Sequence, residues 1–171
     1  QIPKILHLGE SDGGRAADID GEGSGGSTLR IHHNRISRGP NTTSAVGINI
    51  QYDAGHEIYD NEITGKVLNI YGCSDCDVRD NRVTLDYPIA AAVLTVSGSS
   101  PGYYDHDNTY TRAPSAGPGL VVLVAQKGAE APSDVLFEDD TITQGVAGLT
   151  AVQSLGIVGM TLRRTTVAGT A

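Results

Sequence analysis

Tryptophan is absent from the 171 residues, and phenylalanine and methionine occur once each. An interior built on large rings is therefore excluded, and the core has to come from Ile, Val, Leu and Ala. No long stretch carries apolar residues at i, i+3, i+4 and i+7, which argues against amphipathic helices. No apolar run nears the ~20 residues of a membrane-spanning helix, so a membrane is not an expected partner. Positive charge is scarce, with 12 Lys and Arg against 20 Asp and Glu and a net charge of -8. Phosphate backbones repel such a chain, so nucleic acid is not an expected partner either. The two cysteines, Cys73 and Cys76, are too few for a structural zinc site, which needs four ligands. No βαβ pattern surrounds them, as a thioredoxin-like motif would require. They read as small turn residues or a local disulfide. No secretory leader is visible and the first residue is Gln1, which reads as a processed chain or an excised fragment. The length fits one domain, 1–171.

Glycine is abundant, at 22 residues. Short β-branched and aliphatic runs broken by Gly, Asn, Asp and Ser describe many brief strands joined by turns. One pattern recurs: an apolar residue, two polar residues, Asn or Asp, one further residue, then Ile or Val. It stands at Ile31 to Ile36 with Asn34, at Ile58 to Ile63 with Asn61, and at Val78 to Val83 with Asn81. Weaker copies centre on Asn108, Asp140 and Thr165. The steps between these positions are 27, 20, 27, 32 and 25 residues. A second marker, a short apolar strand, precedes each later copy: 47–51, 68–71, 94–97, 120–123 and 149–152.

One such unit cannot bury its own apolar residues, but neighbours stacked above and below can. An irregular step would break a helical repeat, whereas a β-solenoid absorbs it in a loop on one side. The Asn positions should then stack at a sharp turn, where Asn tolerates left-handed dihedrals and its amide can bond to adjacent coils. In the fourth copy, Asn108 as the stacked residue would turn Asp105 inward. A register slipped by one, with Asp107 stacked instead, avoids an unpaired buried carboxylate and is the expectation.

Segments such as IYDNEIT (58–64) and VRDNRVT (78–84) resemble the repeats of the pectate-lyase-like superfamily. The resemblance implies an all-β, single-stranded right-handed parallel β-helix of about six coils, covering residue ~29 to the end by the repeat criterion. Residues 1–28 join it only if 17–21 form the matching strand of a first coil. The superfamily includes polysaccharide lyases, glycoside hydrolases, uronan epimerases, phage tailspikes and adhesins, so fold does not choose among activities.

In that superfamily ligands lie along the sheet that holds the second marker. Alternation along a strand puts Asn49, Gln51, Asn69, Tyr71, Thr95 and Ser97 on its outer face. Asp18 and Asp20 would join them upstream, with Tyr52, Asp53 and His56 at the neighbouring turn. Hydroxyls, amides, carboxylates and a ring suit a saccharide chain. Asp18 and Asp20, at i and i+2, would hold their carboxyls ~6.5–7 Å apart, a spacing compatible with an inverting glycosidase. The Gly-His-Gly and Arg-Ile-Lys signatures of polygalacturonases are missing; Gly55-His56-Glu57 is the nearest approach. Lyase or epimerase chemistry would take its base from Tyr52, Asp53 or His56 and its cation from Lys66 or Arg15.

His32 and His33 are neighbours on a strand and should face opposite ways, which rules out joint metal binding from one face. No cofactor is expected, although the acidic, Gly-rich segment 9–14 could hold calcium. Further along, Val121, Leu123, Val124 and Val152 suggest an apolar C-terminal face for a homo-oligomer or neighbouring domain. The expectation is an extracellular or surface-displayed polysaccharide-binding, -degrading or -modifying β-helix. The competing expectation is a structural segment of a phage tail protein, adhesin or surface protein without catalysis.

Overall fold

The computed structural model describes residues 19–20, 28–38 and 46–170. They form three six-stranded parallel sheets. Sheet I holds Ile19–Asp20, Val46–Ala54, Val67–Ser74, Leu94–Ser97, Val122–Ala125 and Val152–Leu155. Sheet II holds Arg30–His32, Glu57–Tyr59, Asp77–Arg79, Tyr104–His106, Ser133–Glu138 and Val158–Arg163. Sheet III holds Arg35–Ser37, Glu62–Thr64, Arg82–Leu85, Thr109–Arg112, Thr141–Gln144 and Thr166–Gly169. The chain visits I, II and III in turn, six times, and each strand pairs with its counterpart one coil away. This is a parallel β-helix of six coils.

Inward side chains stack in columns. Ile48, Leu68, Leu94 and Val122 share one register position in sheet I, and Ile50, Ile70, Val96 and Val124 share the next. Sheet II contributes Ile31, Ile58 and Val78, and sheet III contributes Ile36, Ile63 and Val83. All of these are buried. Burying one such aliphatic side chain contributes about 1.5–3 kcal/mol, and each layer supplies the lid for the next.

The corner between sheets II and III is the same in every coil. Its turning residues are His33, Asp60, Asp80, Asp107, Asp139 and Arg164, all with φ between 51° and 57°. The left-handed residue is thus the one before each Asn, not the Asn itself. Asp and His tolerate that conformation better than most residues. The Asn is left free to bond along the axis. Asn34 donates its backbone N–H and its side-chain amide to Asn61 Oδ1, at 3.1 and 2.9 Å. Asn61 does the same to Asn81, and Asn81 to Asn108. Asn108 passes its backbone N–H to Asp140 Oδ1 at 2.8 Å.

The fourth coil corrects the slipped register. Asn108 is the stacked residue, and Asp105 occupies the inward column between Val78 and Phe137. It is fully buried but not unpaired. Its carboxyl accepts from Tyr103 Oη at 2.5 Å, Tyr110 Oη at 2.9 Å and Asn108 Nδ2 at 2.8 Å. Burial holds its pKa well above the usual carboxylate range, with the nearby Asp140 pushing the same way. The cost of an inward carboxyl group is thus offset by three hydrogen-bond donors.

The apolar C-terminal face is corrected at three of its four residues, while Leu123 does lie in the outward register. The fifth strand of sheet I is Val122–Ala125 and the sixth is Val152–Leu155, later than the markers at 120–123 and 149–152. Val121 precedes its strand and is buried, and Val124 points inward. The three-residue delay in the sixth strand turns Val152 to the inward register and Gln153 outward, since an odd shift swaps faces. Apolar exposure lies instead on the last coil itself, at Leu155, Val158, Leu162 and Val167.

Candidate binding face on sheet I

The outer face of sheet I carries two register columns. One runs Asn49, Asn69, Thr95, Leu123 and Gln153. The other runs Gln51, Tyr71, Ser97, Ala125 and Leu155. The polar strip expected from alternation is therefore brought together at coils two to four. Asn69 donates its amide to Asn49 Oδ1 across one coil step. Asp20 stands opposite Gln51 by backbone register. Asp53 sits in the same strand, opposite Cys73. Asp18, Arg15 and the segment 9–14 lie outside the described residues.

The centre of the face is a pair of phenol rings. Tyr52 and Tyr71 meet edge to face with centroids 4.5 Å apart, and Tyr52 Oη donates to Tyr71 Oη at 2.8 Å. Tyr52 has the left-handed φ of 52°, which lifts it out of strict alternation. Glycine makes the seat: a Cβ on Gly98 would overlap the edge of the Tyr71 ring. Tyr71 is mostly buried, while Tyr52 is 49% exposed.

Two residues that sequence reasoning missed complete the setting. Lys127 and Glu130 pair across a tight turn at Gly128. The Lys127 ammonium lies 3.8 Å from the Tyr71 ring centroid, and Tyr71 Oη is 3.4 Å from Glu130 Oε2. The Lys127-Gly128 turn signal was available in the sequence, but nothing there ties it to a ring 56 positions away. The Tyr71 phenol is pushed up to about 12, chiefly by its hydrogen bond with Tyr52, then by burial and by Glu130. It stays protonated at neutral pH and can donate a hydrogen bond.

His56 and Lys66 are buried rather than presented on this face. His56 Nδ1 accepts the backbone N–H of Leu29 at 3.2 Å, which ties the first coil to the second. Lys66 Nζ lies 3.5 Å from the Val46 carbonyl, and burial followed by the charge of Arg38 lowers its pKa. Both side chains are thus withdrawn from the solvent face expected of a base and a cation. Cys73 and Cys76 are joined by a disulfide inside the core.

The outer face of sheet II is occupied differently. Arg79 pairs with Asp77 and Glu57, and His106 bridges Asp77 and Asp107. Glu138 is clasped by Arg163 and Arg164 and accepts from Tyr104 Oη. Its carboxyl is held down to about 2, first by the Arg163 hydrogen bond. With its polar groups already paired, this face offers a ligand less than sheet I does.

The fold and this face define a parallel β-helical protein with a polar, ring-bearing sheet. No protein-family model matches the chain, and no curated protein or solved structure is significantly similar to it.

Proposed function

We propose that the outer face of sheet I binds a polysaccharide lying along the helix axis. The observation that carries this reading is the Tyr52–Tyr71 pair set beside the Asn49–Asn69 amides and Gln51, with Lys127 and Glu130 at its edge. A sugar chain offers hydroxyls for amides and carboxylates, and apolar ring faces for aromatic rings. The raised pKa of Tyr71 suits a hydrogen-bond donor and not a general base, so binding is favoured over proton abstraction. Kinship with the pectate-lyase-like superfamily and an extracellular or surface-displayed location belong to the same proposal. The Cys73–Cys76 disulfide suits an oxidising compartment.

The test is calorimetric titration against a panel of neutral and acidic polysaccharides, with absorbance of unsaturated products and reducing ends followed in parallel. Binding that falls at least tenfold in Tyr52→Ala and in Gly98→Ala, without product formation, is the expected result. Gly98→Ala acts by displacing Tyr71. Absence of binding across the panel would sink the proposal, and product release would replace binding by catalysis.

A second reading is structural assembly, favoured by one observation. Leu162 and Val167 continue the inward columns of Phe137 and Ile142, yet are 46% and 49% exposed. Another β-layer, from a second copy or a neighbouring domain, would cover them. Sedimentation velocity showing a monomer at all concentrations would count against self-association.

A further inference from the structure

At the first corner between sheets II and III, two imidazoles meet. His32 ends the strand Arg30–His32, and its ring stacks on Tyr59 with centroids 4.7 Å apart and planes 7° from parallel. Tyr59 in turn carries the Arg79 guanidinium at 4.3 Å. Adjacent strand residues ought to diverge. His33, however, is the left-handed turning residue, with φ 56°. That dihedral swings its ring back, so His33 Nδ1 lies 2.7 Å from His32 Nδ1 with the ring planes at 82°. The expected divergence of the two rings is therefore overturned. Nε2 of His33 faces Asp60 Oδ2 at 3.6 Å.

The geometry points to a divalent transition-metal site of the Cu(II) class, with His32 Nδ1 and His33 Nδ1 as its ligands. At a metal–imidazole distance of ~2.0–2.1 Å, the 2.7 Å separation closes an angle of about 80–85° at the metal. That is near the right angle of tetragonal Cu(II) and well short of a tetrahedral angle. Binding breaks the Nδ1–Nδ1 hydrogen bond: the imidazole that donated carries its proton on Nε2 instead, and both Nδ1 lone pairs turn toward the metal. Stacking on Tyr59 fixes one ligand ring. Asp60 lies 3.6 Å from Nε2 of the other, and on metal binding it can close onto that N–H as the outer partner of many imidazole sites does. Among the described residues no group of three or more His, Cys, Asp and Glu could hold a metal, so water fills the remaining positions. His106 makes the contrast, because Asp107 and Asp77 engage both of its nitrogens at 2.9 and 3.1 Å.

The full chain is titrated with Cu(II) alone by calorimetry and by electron paramagnetic resonance at pH 7. One Cu(II) per chain is expected at micromolar concentration, with two nitrogens in the equatorial hyperfine pattern. His33→Asn keeps the corner, since Asn accepts the left-handed dihedral. It weakens binding at least tenfold and removes one nitrogen from the spectrum, while His106→Asn changes neither. Asp60→Asn weakens binding severalfold, toward the ~10-fold lower end for lost outer-shell partners. An unchanged affinity or spectrum in His33→Asn, or no binding by the native chain at micromolar Cu(II), overturns the assignment.

Discussion

Coils two and three and coils four and five draw the same triangular path with different interiors. In the second and third coils the inward columns hold Ile48, Ile50, Ile58, Ile63, Ile70, Val78 and Val83, all aliphatic. In the fourth and fifth coils the equivalent positions include Asp105, Tyr110, Arg112 and Gln144, all buried. The difference follows the loops. Coil two passes from sheet III to sheet I in a tight turn around Gly65 and Lys66. From the exit of coil three onward the chain makes long excursions, at 86–93, 113–121 and 145–151. Those loops bring carbonyls over the core that no strand can pair, and buried carbonyls need donors. Arg112 supplies them, donating to the carbonyls of Ile89, Ala91, Ala116, Gly117, Pro118 and Leu120. Gln144 does the same for Gly119 and Thr150. The inward columns are thus hydrocarbon up to the first long excursion, at 86–93, and from the next coil onward they hold donors for the loop carbonyls.

The largest effect that sharpens this contrast is expected from Arg112→Met. It fills similar volume but leaves six carbonyls without their donor, at a cost of about 4 kcal/mol. Urea unfolding measures it, and Leu85→Met at the same register position one coil earlier should cost less than about 1.5 kcal/mol. Equal losses would erase the distinction between the two regions.

A smaller difference is expected along the Asn column. Asn81→Leu strips an acceptor from Asn61 and a donor from the Ile58 carbonyl, costing about 2–3 kcal/mol. Asn108→Leu should cost more, because Asn108 also donates to Asp105. If the two match in urea unfolding, the polar interior adds nothing to the ladder.

The smallest effect is a pH slope. Burial raises the Asp140 carboxyl to about 6, and burial together with Asp140 raises Asp105 beside it. Raised carboxylates stabilise the fold when protonated. Their contribution is complete below the unfolded pKa near 4 and falls as pH rises, that of Asp140 through about 6. The Glu138 carboxyl, held down to about 2, works the other way, with stability present above about 4.5 and lost toward pH 2. Unfolding free energy should therefore peak near pH 4–5 and decline toward pH 7, by at most about 1.4 kcal/mol per pH unit for each proton. The decline should vanish in the Asp105→Asn, Asp140→Asn double variant while the acid limb remains.

The ladder was legible in the sequence because Asn34, Asn61 and Asn81 recur between aliphatic residues of fixed spacing, and stacking needs nothing more. The polar strip was legible for the same reason, through period-two alternation. Asp105 was misread because its three donors are spread from Tyr103 to Tyr110, and only folding turns them onto one carboxyl. The strands expected at Leu120 and Leu149 begin later because Arg112 holds the Leu120 carbonyl, and Gln144 the Thr150 carbonyl, in loops, which local pattern cannot reveal. Of the candidate site, Lys127 and Glu130 were invisible because their link to Tyr71 runs across two coil steps. His56 and Lys66 carried polar side chains into the interior, against the ordinary preference for solvent.

The Asn column also has a direction. In Asn34, Asn61 and Asn81 the backbone N–H and the amide both donate forward, to an oxygen supplied by the next coil. A coil's corner is therefore incomplete until its successor arrives, and the successor arrives carrying the same need. Assembly along this column has the logic of a zip fastener: each tooth is locked by the one closed after it. A chain emerging from its N-terminal side would always present one unlocked tooth, ready to receive the next.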